Sequence, residues 1–407
     1  RTRLTYVSAA VVGAGTVVVF FWWWWTKRQK ERPPSEWRKV GELSDLVVYP
    51  VKSLGPVRLN SLECTKLGLK SGWLRDRTLV VIDLNGHFVT ARQWPKMVQV
   101  IPSVSGSILT LSASGMMSIS IDLSQVKETK RFRVAVWGQP VFACDCGEEV
   151  ARWLSRFILQ EDTGFRLVYY PLQHPTREIR SRLKIFPMTA DDTGAYPDAT
   201  SYCLINEGSV TELNTRLEDP ITADRFRPNF VVKGPTAYEE DCWGWIKISD
   251  VVFKTILPCT RCILTTVDSE TGKKNPKAEP LKTLKRQITD PVVRPLVGES
   301  PVMGIHLGLR GSNGTVRLGD PVYVGLPEEQ PLSSTSSFSA PDTTWCFCIL
   351  NPTCGYDPSI LLLRSLRALL RLVALFMSHC DIFTGCPYAW NVFLFCILFS
   401  STKHLAR

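Results

Sequence analysis

Histidine is scarce in this chain of 407 residues: His87, His174, His306, His379 and His404 are all there are, and their spacing forms no metal-ligand pattern. No G-x-S-x-G elbow is present, so generic hydrolase chemistry lacks its nucleophile signature. Glycine-rich phosphate loops and dinucleotide fingerprints are missing too, which argues against a P-loop and against a nicotinamide or flavin of the chain's own. Basic runs never exceed a few residues, and RNA-recognition, zinc-finger and basic-zipper patterns do not occur. Nucleic acid is therefore not the expected partner.

Positive charge is nevertheless in surplus, 48 Lys and Arg against 38 Asp and Glu, for a net charge of +10. A membrane surface, an anionic cofactor or an acidic protein partner each accounts for it. With 44% hydrophobic and 21% charged residues, the chain can bury a sizeable core. Of its 13 cysteines, Cys346, Cys348, Cys354, Cys380, Cys386 and Cys396 sit near the C-terminus and the rest are irregularly spread. A body this large needs no disulfide staples, so reduced thiols facing the cytosol are expected. The chain opens on Arg1 rather than methionine, and further residues are expected ahead of it.

Residues 8–25 carry no charge and end in Trp22-Trp23-Trp24-Trp25, just before Lys27, Arg28, Lys30 and Arg32. Eighteen residues are about the minimum to cross a hydrocarbon core of about 30 Å, and the tryptophans stand where an interfacial belt belongs. The aromatic cluster makes a poor cleavage region for a signal peptide. The expectation is an N-terminal transmembrane anchor (1–26), with its basic flank holding the body on the cytosolic side, followed by a linker (27–40).

Beyond Gly41 the texture is that of strands and turns. Strands are expected at 46–51, at 78–83 and 87–92 around an Asn85-Gly86 hairpin turn, and at 108–111, 117–121 and 132–137. Val150, Leu154, Phe157 and Ile158 fall on one helical face. A second helix is expected to start at Ser209 with Glu212 as a capping box and to continue through Leu217. Strands return at 230–233, 245–248 and 251–257, and a hairpin over 316–324 closes the body. This is strand-dominated α+β, barrel-like and in two subdomains. After residue 326 the chain turns Ser/Thr/Pro-rich and then Cys- and Leu-rich. An interfacial amphipathic helix over 360–377 and an atypical extension without a role are both open readings of that tail.

Pro258-Cys259-Thr260-Arg261-Cys262 is the sharpest local feature. Structural zinc would want a second Cys/His pair at finger spacing, and a thioredoxin-like motif should open a helix, whereas 263–267 reads as a strand. Two core cysteines at a strand end remain one reading. The other is a thiolate for a soft metal, favoured by the guanidinium of Arg261 between the thiols. Lys52-Ser53, Arg75-Asp76-Arg77, Thr200-Ser201 and Arg225-Phe226-Arg227 place basic and hydroxyl groups at loop ends, where they can cradle a phosphate or simply form surface ion pairs.

In order, these segments resemble the MOSC family, specifically the mitochondrial amidoxime-reducing components. The matching pieces are Tyr49-Pro50-Val51-Lys52-Ser53, Gly72-Trp73-Leu74-Arg75-Asp76-Arg77, Val89-Thr90-Ala91-Arg92-Gln93, Phe226-Arg227-Pro228-Asn229, Tyr238-Glu239-Glu240-Asp241-Cys242-Trp243, the run from Cys259 to Asp268, and Gly319-Asp320-Pro321-Val322-Tyr323. The resemblance implies a β-rich MOSC N-terminal subdomain (41–165) and a MOSC β-barrel-like domain (166–326), with molybdopterin bound between them. It implies Cys262 as the molybdenum ligand and catalytic residue, and Lys52, Ser53, Arg77, Arg227, Thr260 and Arg261 as cofactor-binding positions. Thr200 and Ser201 carry over as well, although Ala199 and Thr200 depart from the family's Thr-Ser-Pro pattern.

By the same resemblance the chain would reduce N-hydroxylated compounds such as amidoximes and hydroxylamines. Its electrons would come from NADH through cytochrome b5 reductase and the acidic cytochrome b5. The expected location is the mitochondrial outer membrane with the body in the cytosol, the endoplasmic reticulum being the alternative. Rival readings are a molybdenum-cofactor carrier or sulfur-handling protein, which the lack of a pyridoxal-phosphate aminotransferase-like domain disfavours, and an inactive membrane scaffold. Two stretches depart from the family pattern: the tail, and Met303-Gly304-Ile305-His306-Leu307-Gly308-Leu309, where aromatics are common.

Overall fold

Alternation of apolar and polar residues with period two is the pattern of a strand with one buried face. In the computed structural model, which describes residues 32–285 and 297–326, that pattern closes into a barrel. Its strands, labelled in chain order, are β1 (Trp37–Val48), β2 (Tyr202–Asn206), β3 (Phe230–Lys233), β4 (Trp245–Ile248), β5 (Val251–Thr260), β6 (Val302–Arg310) and β7 (Pro321–Gly325). They neighbour one another in the order β3-β2-β6-β5-β4-β7-β1, and β1 also pairs with β3 to shut the ring. The β2–β3 ladder is parallel, joined through α1 (Glu207–Asn214); the other ladders are antiparallel.

The long strand β1 serves two ladders, pairing through Trp37–Glu42 with β7 and through Glu42–Leu46 with β3, with a register shift in each. Gly41 lies at one of these irregularities, where a Cβ would meet the carbonyl oxygen of Lys233 at 2.2 Å. Only glycine allows the two backbones to approach this closely. Inward residues two apart on successive strands fill the barrel: Leu204 on β2, Phe230 and Val232 on β3, Ile246 and Ile248 on β4, Ile305 and Leu307 on β6. Tyr202, Phe230 and Phe253 form a closed aromatic triad with ring centroids 5.2–5.7 Å apart. Truncating a buried ring to alanine costs about 3–5 kcal/mol, so this triad is a principal stabilising cluster of the barrel.

A second sheet, of the strands Leu79–Asp83, Phe132–Val136, Gln139–Asp145 and Phe165–Tyr169, packs one face against the meander over 101–122 and the helix Glu148–Leu159, and the other, with Val134, Val136 and Val141, against Tyr170 and Tyr196. That helix buries Val150, Leu154, Phe157 and Ile158, the face expected from the sequence.

Several local expectations are corrected. The strand expected at 46–51 ends at Val48, because the Asp76 carboxylate takes the Tyr49 N–H at 2.8 Å and turns the chain. Residues 87–92 make only isolated bridges, Ile82 with Phe88 and His87 with Ala135, and no ladder. Helix α1 starts two residues earlier than expected, since Asn206 accepts from Gly208 N–H as the N-cap. Ser209 is thus inside the helix and bonds Glu240 at 2.8–2.9 Å. Residues 263–266 form a 3-10 turn rather than a strand. The expected closing hairpin is a turn between two sheets: Gly314–Arg317 pairs with Ser61–Thr65, whereas β7 pairs with β1 and β4. The expected anchor (1–26) and the tail beyond 326 lie outside the described residues. Among the described residues no helix is long and apolar enough to cross a membrane.

Glu240 is wholly buried, bonded by Ser209 and by Asn206 Nδ2 at 3.1 Å. Burial, with Asp241 beside it, pushes its carboxyl up to about 7 from 4.5. The folded state therefore holds the extra proton between those values, and this group's contribution to stability, full below pH 4.5, is lost as pH rises towards 7. Glu240→Gln is expected to flatten the fall in stability across that window, measured by urea unfolding at several pH values. An unchanged pH slope would show that the carboxyl is not the titrating group.

Candidate functional site

At one mouth of the barrel, loops from both cores converge on a cleft whose free space, its open mouth included, is about 850 Å³. Three cleft residues, Ser53, Arg77 and Arg227, have left-handed backbones with φ of 71°, 47° and 53°. Non-glycine residues hold that conformation only where the surroundings over-determine it, which concentrates at functional sites. The Arg77 N–H donates to Tyr49 O at 2.7 Å and the Arg227 N–H to Asp224 O at 3.0 Å, which fixes both turns.

Asp76 and Asn229 hold the floor. Buried Asp76 accepts from Tyr49 N–H, from Asn229 Nδ2 at 3.0 Å and from Arg77 Nη1 at 2.5 Å. Asn229 also donates to Val47 O, and its Oδ1 accepts from Cys203 N–H at 3.1 Å, tying three barrel strands to the same point. Arg77 and Arg227 lie over the Tyr49 ring at 4.9 and 4.1 Å, so its π face offsets part of their repulsion. Burial raises the Tyr49 hydroxyl well above its ordinary range and lowers Arg227 to about 10, with Arg77 adding to the latter.

Six cations line the cleft: Lys52, Arg77, Arg92, Arg225, Arg227 and Arg261. Three carboxylates face them. Asp76 serves Arg77, Asp268 serves Arg225 at 2.5 Å, and Asp198 serves Lys52 and, at 3.9 Å, Arg92. Six against three leaves a surplus of three positive charges. Burial raises Asp198, but Lys52 and Arg92 outweigh it and hold the carboxyl well below the usual range; burial draws Lys52 down to about 8. Arg227 Nη2 is sealed from solvent and has no hydrogen-bond partner among the described residues. Such a group is costly unless an anionic ligand completes it.

The two cysteines of the Cys-x-Arg-Cys segment differ sharply. Cys262 is exposed at the cleft, with Arg92 Nη1 4.0 Å from its sulfur. Cys259 is 4% exposed and faces Cys203, sulfur to sulfur 4.0 Å. Arg261, expected from the sequence to act on the thiol at the cleft, turns inward to Met303 O, Phe226 O and the Cys203 sulfur. It is Cys259 that responds, drawn down to about 7 by a hydrogen bond from Cys203 and then by Arg261.

Of the sequence-predicted residues, Lys52, Ser53, Arg77, Thr200, Arg227, Thr260, Arg261 and Cys262 all line the cleft. Ser201 is not among the lining residues; its hydroxyl donates to Lys66 O at 3.0 Å. Asp198 and Cys203 also line the cleft and escaped sequence reasoning, since nothing in their local pattern marks them; His306, in the 303–309 stretch that departs from the family pattern, lines it too. Arg92 and Asn229 lay inside quoted motifs, which was the available signal. His306 Nδ1 meets Thr200 Oγ1 at 3.1 Å, and burial lowers the imidazole, favouring its neutral form.

Two comparisons bear on this arrangement. Residues 40–161 match the family described as the MOSC N-terminal beta barrel domain, and residues 191–323 match the MOSC domain. The chain is 39% identical over 288 residues to mitochondrial amidoxime reducing component 2 of Bos taurus, covering 70% of this chain and 84% of that one. It is 39% identical over 290 residues to mitochondrial amidoxime-reducing component 1 of Homo sapiens, with the same coverage. To the component 2 of Rattus norvegicus it is 36% identical over 325 residues, 79% of this chain and 94% of the relative.

Arg227→Met should make the ligand-free protein more stable by about 1–3 kcal/mol in urea unfolding, because it removes a buried donor without a partner. A destabilised variant would mean that the guanidinium is satisfied as it stands. Lys52 has a folded pKa below its unfolded one, so the unfolded chain holds the extra proton between about 8 and 10.5 and this group favours folding more as pH rises through that window. The cleft loses one cation over the same range. Retention of pyrophosphate, followed by calorimetry, is expected to weaken above about pH 8, and Lys52→Arg to remove that dependence; a titration unaffected by Lys52→Arg would exclude Lys52 as its source.

Proposed function

The chain belongs to the family of the mitochondrial amidoxime-reducing components, molybdenum-cofactor enzymes built on MOSC domains, and on that premise we propose that it holds one molybdopterin-bound molybdenum and reduces N-hydroxylated substrates, amidoximes and hydroxylamines among them. The observation that carries this reading is the pairing, in one cleft, of an exposed soft thiol with a surplus of buried cations that includes the unpartnered Arg227 Nη2. These residues fit the group. Lys52, Arg77 and Arg227 would hold its phosphate with charge-assisted bonds, the hydroxyls of Ser53 and Thr260 would complete the cradle, and Thr200, whose hydroxyl donates to Tyr202 O at 2.9 Å, would shape its wall. Cys262 would supply the thiolate that a soft metal requires. Ser201 and Arg261, spent on carbonyl oxygens, would shape the walls.

When bound, the molybdenum centre supplies the two-electron change that N–O bond cleavage needs. The chain's own residues anchor and orient. Lys52, held by Tyr196 O at 2.9 Å and by Asp198, keeps a charge at the cleft that is immobile before any ligand arrives. Arg92 stacks on Trp137 at 5.1 Å and holds its Nη1 4.0 Å from the Cys262 sulfur, which keeps a fixed positive charge beside the exposed thiol. No nicotinamide or flavin fingerprint is present, which supports delivery of electrons from NADH by cytochrome b5 reductase and cytochrome b5. The net charge of +10 suits an acidic donor. The names of the relatives and the anchor at 8–25 support a mitochondrial outer-membrane location with the body in the cytosol, the endoplasmic reticulum being the other destination.

Elemental analysis tests the assignment: Cys262→Ser should lose its molybdenum and Cys259→Ser should keep it. Equal molybdenum in wild type and Cys262→Ser would sink it. With protein of measured molybdenum content, amidoxime turnover with NADH is expected only when both partners are supplied, and should fall as salt rises. Cofactor-replete protein that stays inactive with both partners would favour a cofactor carrier, a sulfur-handling protein or a scaffold. Protease added to intact mitochondria should remove the body; protection would refute the topology.

A further inference from the structure

Behind the cleft, Cys203, Cys259 and His306 present three ligand atoms that all lie within 4.8 Å of one another. We propose that this cluster is a second metal site, distinct from Cys262, that takes one copper(I) ion in trigonal coordination by two thiolates and one imidazole. Its three ligands stand on adjacent barrel strands, Cys203 on β2, His306 on β6 and Cys259 on β5, with Cys203 and His306 directly paired. The ladder therefore preorganises Cys203 and His306, and the register shift between Pro258 and Thr260 places Cys259 against them.

The geometry separates the metal reading from a disulfide. Strand β6 lies between the two that carry the cysteines, which places their backbones two interstrand spacings apart, roughly 9–10 Å. A disulfide needs Cα atoms within about 7 Å. The sulfurs nonetheless point at each other, 4.0 Å apart. Two thiolates bound to one ion at about 2.3 Å are separated by about 4 Å, so the sulfurs already stand at the spacing of a shared metal.

Charge selects the ion. Arg261 Nη2 lies 3.5 Å from the Cys203 sulfur. Two thiolates and a neutral imidazole around copper(I) carry one negative charge, which that guanidinium neutralises. Around zinc(II) the same set is neutral and leaves Arg261 uncompensated in a buried place. Soft thiolates select the monovalent ion by the same token. The Thr200 hydroxyl donates to Tyr202 O at 2.9 Å, so it accepts from His306 Nδ1–H at 3.1 Å, the tautomer that carries its lone pair on Nε2. All three ligands line the cleft, which provides the entry path, and binding would release the two thiol protons.

The test is a titration of the full-length protein with copper(I) under reducing conditions, against bicinchoninate as competing chelator. Comparing variants corrects for the other thiols of the chain. Cys203→Val, Cys259→Val and His306→Phe should each lose the same single equivalent, with affinity reduced at least tenfold, while Cys262→Ser retains it. X-ray absorption of the copper-loaded wild type should show two sulfurs and one imidazole nitrogen, a measurement that stands even if a variant fails to fold. Equal copper in wild type and all three variants, loss that follows Cys262→Ser instead, or an absorption spectrum without imidazole would overturn the proposal. Because Cys262→Ser separates the two metals, failure here leaves the molybdenum assignment intact, and the reverse also holds.

Discussion

The hydrogen-bonded pair of Asp76 and Asn229 is the point on which the site depends. Six cationic side chains around one cleft repel one another, and burial raises the cost because water screens them less. One carboxylate sealed beneath Arg77 offsets that repulsion where it is greatest. The same carboxylate turns β1 out of its ladder at Tyr49, and Asn229 ties β1, β2 and the approach to β3 to it. The charge that holds the arginines also sets the backbone from which they project. Breaking a buried pair of this kind typically costs about 3–5 kcal/mol, so the site and this part of the fold stand or fall together.

From that floor the cleft divides into regions of different chemistry. Toward Lys52, Arg77 and Arg227 it is cationic and only partly neutralised, and the buried Arg227 Nη2 has no hydrogen-bond partner among the described residues. Toward Cys262 it offers an exposed thiol under Arg92. Behind it, three strands bring two buried thiols and an imidazole together. Arg261 stands between these regions, and its guanidinium bonds link the β6 backbone at Met303 to the turn that carries Arg227. A rigid link of this sort keeps the thiol and the cradle in fixed register, which positioning of a bound group requires.

Much of the barrel was legible as period-two alternation. The strands at 230–233 and 245–248 appear where the pattern put them, and so does the apolar face of the helix over 148–159. Misreadings came where a local signal was outbid by a tertiary partner. Ser209 and Glu212 have the spacing of a capping box, but Asn206 caps the helix and Ser209 is claimed by Glu240. Residues 316–324 look like a hairpin, yet the flanking strands find better partners in two different sheets. A turn signal says that the chain reverses; it does not say which strands will pair across it.

By itself, the sequence determined the residue types and their order: a Cys-x-Arg-Cys segment at a strand end, basic and hydroxyl residues at loop ends, and the run of segments that marks the family. Local chemistry sufficed there, because each depends on neighbours a few positions away. Only the tertiary structure decided which cysteine meets the cleft, where Arg261 points, and that Asp198 and Cys203 belong to the site at all. The physical reason is the strand itself. Strand β5 ends at Thr260, so Cys259 is packed within it while Cys262 lies past its end, on the turn that meets the cleft. The groups that then meet run from Lys52 to His306 along the chain, a separation over which no local pattern carries information.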